Sequence, residues 1–116
     1  MKSDNIVRSK SYAFSLNIIK IYQDLTKDKK EFILSKQLIR SGTSIGANIE
    51  EAIGAQSKND FISKMSISYK EARETLYWLQ LLSDSGFLNK EQSGTLMCEC
   101  EELLKILGSI IKTSRS

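Results

Sequence analysis

The chain contains no proline at any of its 116 positions. Proline lacks a backbone donor and clashes with the preceding turn, so its absence leaves every helix interior uninterrupted. Apolar residues recur at spacings of three and four in four blocks, and short polar segments with capping signals separate the blocks. The first block covers about residues 4–25, with Val7, Phe14, Ile18, Ile21, Tyr22 and Leu25 on one stripe. Asp28 followed by Glu31 has capping-box spacing and predicts a second helix over about residues 30–55, striped by Leu34, Leu38, Gly42, Ile45, Ile49, Ala52 and Ile53. Ser57 with Asp60 opens a third, about 58–83, striped by Phe61, Met65, Tyr69, Ala72, Leu76 and Leu79. Gly86 is suited to a left-handed position past its end, and Asn89 with Gln92 caps a fourth, about 90–112, carrying Leu96, Cys100, Leu103, Leu107 and Ile110. Connections this short join antiparallel neighbours, so the expectation is one all-α domain over residues 1–116, an up-down-up-down four-helix bundle.

At 41% hydrophobic and 27% charged residues, the balance is that of a soluble globular chain. Its uncharged apolar runs are too short to cross a bilayer, and MKSDNIVRSK has no secretory character, so a cytoplasmic protein with no membrane partner is expected. Cys98 and Cys100 fit neither a zinc knuckle nor a redox pair. On a helix they point about 200° apart, which places one in the core and one outside, both reduced. The chain has no histidine, the usual general base and metal ligand.

RSGTSIGANIEEA, residues 40–52, is the one stretch that invites a nucleotide-binding reading. A Walker loop needs Lys and a hydroxyl residue straight after its second glycine, but Gly46 precedes Ala47 and Asn48. A dinucleotide fingerprint follows a buried strand, whereas EFILSKQLI is helically periodic. As helix, Gly42 and Gly46 each cost about 1 kcal/mol against alanine. They lie one turn apart beside Ser41, Ile45 and Ile49, where a neighbouring helix can approach the backbone closely. Gly42, Ile45 and Gly46 are therefore candidate packing or interface residues, and Asn48 at the stripe's edge is placed either to bond across to a neighbour or to stay solvated.

RSGTSIGANIEEA, SKNDF and KEARETLYWLQLL, together with SYAFSLNIIKIY and CEELLKILGSIIKT, closely resemble the bacterial four-helix-bundle proteins also known as the 23S rRNA intervening-sequence family. The similarity spans nearly the whole chain. It implies a four-helix bundle assembling as a homopentamer, with no enzymatic activity attached to the family generally. A related group is the accessory variability protein of diversity-generating retroelements, a pentameric barrel that binds nucleic acid and a reverse transcriptase. By that similarity RNA or DNA is the leading partner class, and no individual binding residue carries over.

Glu71 and Glu74 in KEARETLYWL have the spacing of metal-ligating carboxylates, but di-iron bundles also require Glu-x-x-His pairs, and helical ribonucleases of the HEPN type need a histidine. Glu71, Arg73 and Glu74 are read as surface or interface salt-bridge partners, Glu71 among the candidates for helix packing or an oligomer interface; no enzyme activity, cofactor or metal is expected. On the third helix Ile67, Trp78 and Leu82, with Tyr77 and Leu81 beyond, lie off the core stripe, as anchors of a subunit interface would. The competing arrangement is a wide core that takes in Trp78.

Residues 1–40 hold nine Lys or Arg against four acids, a net +5, while the remainder is −2. Lys20, Lys27, Lys29, Lys30, Lys36 and Arg40 are therefore the candidate phosphate contacts, repeated around the axis of a ring of copies. The alternative is a scaffold that docks onto a nucleic-acid enzyme such as a reverse transcriptase without touching nucleic acid.

Overall fold

The structure, a computed structural model, describes residues 2–116, with side chains from Asp4 onward. Lys2, counted in the basic half, thus has its side chain outside the described residues. Four helices, α1 (Lys2–Lys27), α2 (Leu34–Ile53), α3 (Lys58–Asp84) and α4 (Lys90–Arg115), account for nearly all of them, with no strand among the described residues. They form a body of 44 × 21 × 19 Å. Each helix runs beside two others, in the order α1, α2, α3, α4 and back to α1.

The core is built from the expected stripes. Val7, Phe14, Ile18, Ile21 and Leu25 of α1 are buried against Leu38, Ile45, Ile49 and Ala52 of α2, Met65, Ala72 and Leu79 of α3, and Leu96, Cys100, Leu103, Leu107 and Ile110 of α4. Tyr22, Leu34, Phe61, Tyr69 and Leu76 are half-buried at its margin, and Ile53 is exposed. Residue numbers rise along one helix as they fall along the next. Gly42 and Gly46 meet Ile18 and Ser11, Ser41 and Ile45 meet Thr75 and Ser68, Ala72 and Ser83 meet Cys100 and Ser93, and Lys10 and Asn17 meet Glu102 and Glu99.

The segment 41–48 is continuous helix. A Cβ on Gly42 would stand 3.0 Å from Cγ1 and Cγ2 of the buried Ile18, and one on Gly46 would stand 3.4 Å from Ser11 Oγ. Gly42 thus seats α1, and its helix-propensity penalty is offset by that close approach, while Gly46 faces α1 at ordinary contact distance. The other flank of α2 faces α3 through hydroxyls: Ser68 Oγ donates to Ile45 O at 2.8 Å, and Thr75 Oγ1 lies 2.9 Å from Ser41 Oγ, all four residues being buried.

Two caps stand where the sequence puts them. Ser57 Oγ accepts the Asp60 N–H at 3.0 Å and Asn89 Oδ1 accepts the Gln92 N–H at 2.7 Å. After α3, Gly86 takes φ +85° while the Phe87 N–H bonds Leu82 O and the Gly86 N–H bonds Ser83 O, a Schellman ending. The start of α2 differs from expectation: the helix begins at Leu34, and Asp28 caps nothing. The Glu31 N–H bonds back to Leu25 O at 2.9 Å, Lys30 takes φ +56°, and the chain folds over the end of α1. This brings the Glu31 carboxylate onto the N–H groups of Ile33 (3.1 Å), Leu34 (3.0 Å) and Ser35 (2.7 Å). Burial alone would raise the Glu31 pKa, but these backbone donors and the Ser35 hydroxyl outweigh it and hold the group below its usual value.

Candidate nucleic-acid interface

The α1–α2 connection gathers most of the cations that the sequence singles out. Lys27, Lys29 and Lys30 are exposed there, and exposed Lys36 follows in the first turn of α2. Because Glu31 turns its carboxylate inward onto the α2 N-terminus, Asp28 is the one acidic side chain left outward-facing between residues 27 and 36. The same tip holds two large apolar side chains in solvent, Phe32 at 59% and Ile33 at 76% exposure. Sequence reasoning missed both, because it extended α2 back over them. The available signal was their position off the Leu34–Leu38 stripe.

The remaining two candidates lie elsewhere. Lys20 lines a groove of about 550 Å³ between α1 and α4 together with Asp24, Glu91 and Glu99, so carboxylates dominate its surroundings. Arg40 is held by two carboxylates of α3, with Nη1 3.3 Å from Glu71 Oε2 and Nη2 paired with Glu74. The Trp78 indole N–H donates to the same Glu74 Oε2 at 2.9 Å. Arg40 is therefore paired within the chain while its side chain stays partly exposed, and Glu71 and Glu74 serve as its partners. A further cationic surface went unforeseen: Lys70 of α3 and Arg115 of α4 line one groove with Asn59, Ser63 and Ser66 and with no carboxylate among the described residues. Charge totals by sequence half hide it, because the fold places the end of α4 beside the start of α3.

The small-residue and aromatic candidates also sort themselves. Gly42, Ile45 and Gly46 belong to the chain's own helix packing. Asn48 Nδ2 donates to Ser44 O at 2.8 Å, a bond back along its own helix instead of one across to a neighbour. Leu82 is fully buried, because α3 packs against both α2 and α4 and its buried face is correspondingly wide. It is core and unavailable to a partner. Trp78 is half-buried against the core with its ring edge-on to exposed Tyr77, centroids 5.1 Å apart, while Ile67 remains exposed. On α1, Tyr12, Leu16 and Ile19 form an exposed apolar stripe at helical spacing on the side away from the core, a feature readable in the sequence but overshadowed by the stronger core stripe.

Cys98 is exposed and Cys100 buried, its thiol donating to Ala72 O at 3.2 Å. Burial, with Glu101 adding to it, pushes the Cys100 pKa up to about 12, so this thiol is inert packing. No group of three or more Cys, Asp or Glu side chains placed to hold a metal ion occurs among the described residues, and no described helix is long and apolar enough to cross a membrane.

A sequence model of the 23S rRNA-intervening sequence protein family matches residues 3–109. This chain belongs to that family. A similar fold is seen in a protein with unknown function from the S23 ribosomal protein family of Bacteroides thetaiotaomicron VPI-5482, at TM-score 0.94 and 49% identity over 95% of this chain and 98% of the other. Comparison with curated proteins gave no match. In this member of the 23S rRNA-intervening sequence family, the surfaces left free by folding include the lysine-rich tip, the Lys70–Arg115 groove and the apolar stripe of α1.

Proposed function

We propose that this protein is a non-catalytic adaptor for RNA or DNA, built as an antiparallel up-down-up-down bundle and working in the cytoplasm as a homo-oligomer, a pentameric ring by family resemblance. The opposed numbering of contacts between successive helices supports the antiparallel arrangement. Self-association is supported by the exposed stripe of Tyr12, Leu16 and Ile19, apolar surface that a second copy would remove from water. The observation that carries the nucleic-acid reading is the tip, where Lys27, Lys29, Lys30 and Lys36 stand exposed while the neighbouring Glu31 is turned inward.

The mechanism is electrostatic. Lysines displace counterions from phosphates, so affinity falls steeply with salt, and four of them engaged on a single strand give a log–log slope of about −3 per subunit. Fluorescence anisotropy with labelled RNA and DNA across a KCl series tests this, alongside the charge-reversed triple variant Lys27→Glu, Lys29→Glu, Lys30→Glu. Binding should weaken by at least about tenfold in that variant. Binding indifferent to salt, or no binding to any RNA or DNA at low salt, removes the proposal. The α1 stripe also favours a second reading, a scaffold for a protein partner. Full retention of that partner by the triple variant, without nucleic acid, would select it.

A further inference from the structure

We infer that the α1–α2 tip selects single-stranded over double-stranded nucleic acid, with the exposed ring of Phe32 serving as a base-stacking platform between phosphate-binding lysines. The inference rests on the nucleic-acid reading above and names the substrate form that this site takes. Phe32 is 59% exposed, and the bonding of its connection does not leave it free to fold inward. Residues 30–35 are braced at both ends. The Glu31 N–H is fixed to Leu25 O, its carboxylate to three N–H groups of the α2 start, and its carbonyl accepts the Ser35 hydroxyl at 2.7 Å. Turning Phe32 into the bundle would break that set of bonds. The ring is thus held outward, and a group already fixed in place loses little freedom when a ligand covers it.

Its surroundings define what covers it. Lys29 and Lys30 lie three and two residues before the ring and Lys36 four after it, so cations stand on both sides of it along the chain. An unpaired base presents a flat face to such a ring while its flanking phosphates reach the ammonium groups. In a duplex the bases are stacked on one another and only the phosphates remain accessible, so the ring contributes nothing there. A second copy of the chain is the wrong occupant, since adjacent tips would bring like charges together. Charge complementarity points to a polyanion, and the exposed ring points to one with free planar faces.

The test uses the full-length protein, fluorescein-labelled oligothymidylate and a blunt-ended duplex of the same length, with Phe32→Ala and Phe32→Trp variants whose fold is verified by thermal melting. Phe32→Ala should lose about tenfold in affinity for the single strand while duplex affinity changes by no more than about twofold, and Phe32→Trp should restore single-strand binding. Equal loss on both ligands, or no loss on the single strand, overturns the inference and leaves the nucleic-acid reading standing. Failure of the unmodified protein to bind either ligand overturns both. Phosphatidylserine vesicles provide the competing arm: Phe32-dependent vesicle binding with unaltered oligothymidylate binding would assign the ring to a membrane surface and overturn the inference.

Discussion

Against α1, helix α2 presents glycines; against α3, it presents hydroxyls. On the first flank Gly42 leaves so little room that its missing Cβ would sit 3.0 Å from two carbons of Ile18, and contact is purely steric. On the second, Ser41 and the backbone of Ile45 meet Thr75 and Ser68 through buried polar bonds at 2.9 and 2.8 Å. Small residues let helices come close in both cases, but they do so for different reasons. A steric seat fails abruptly when filled, whereas a hydroxyl seam weakens by about one hydrogen bond at a time.

The largest test of that contrast is Gly42→Val, expected to lower unfolding free energy by about 3 kcal/mol in urea titration. Adding Ile18→Val to the same chain should recover about 1 kcal/mol of it, since the two sites share one space. Recovery of nothing would mean that Gly42 matters for some reason other than Ile18. On the hydroxyl flank, Thr75→Val keeps the shape and removes the buried polar atom facing Ser41, for an expected loss of about 1.5 kcal/mol. A loss as large as that of Gly42→Val would erase the distinction between the flanks.

Where α2 begins, Glu31→Gln should cost about 1 kcal/mol at neutral pH, by analogy with other helix-capping side chains. The Glu31 pKa is lowered in the folded chain from a reference value of 4.5, so its contribution is complete above that value and lost as pH falls through the lower, folded value. Denaturation from pH 7 to 3 should show that part of the pH dependence in the unmodified chain and not in Glu31→Gln. Smallest of all is Gly46→Ala. Its Cβ would make only ordinary contact with Ser11, so the gain in helix propensity should prevail, raising stability by about 0.5 kcal/mol. Opposite signs for alanine or valine at two glycines one turn apart are the sharpest form of the comparison.

What the sequence disclosed follows the range of the interactions involved. The caps at Ser57 and Asn89 were legible because each joins a side chain to a backbone group three residues away. The stripes were legible because helix geometry alone sets their period. The start of α2 was not, since the Glu31 cap depends on a loop in which Lys30 takes a left-handed conformation and the chain bonds back to Leu25. No local spacing specifies that path. Four of the six candidate cations, Lys27, Lys29, Lys30 and Lys36, gather at one tip because they are near in sequence. The pairing of Arg40 was not legible, because its two carboxylate partners are 31 and 34 residues away on another helix. Leu82 was misjudged because the breadth of a buried face depends on how many helices press on it. The reverse holds for Lys70 and Arg115, distant in the chain and brought to one groove by the fold.

The chain's single tryptophan, Trp78, donates its indole N–H to Glu74, the carboxylate that also holds Arg40. It is therefore a natural spectroscopic label at the boundary of α2 and α3. Any event that pulls Arg40 away from that carboxylate, whether assembly, a bound polyanion or a substitution, should shift the emission without an added label.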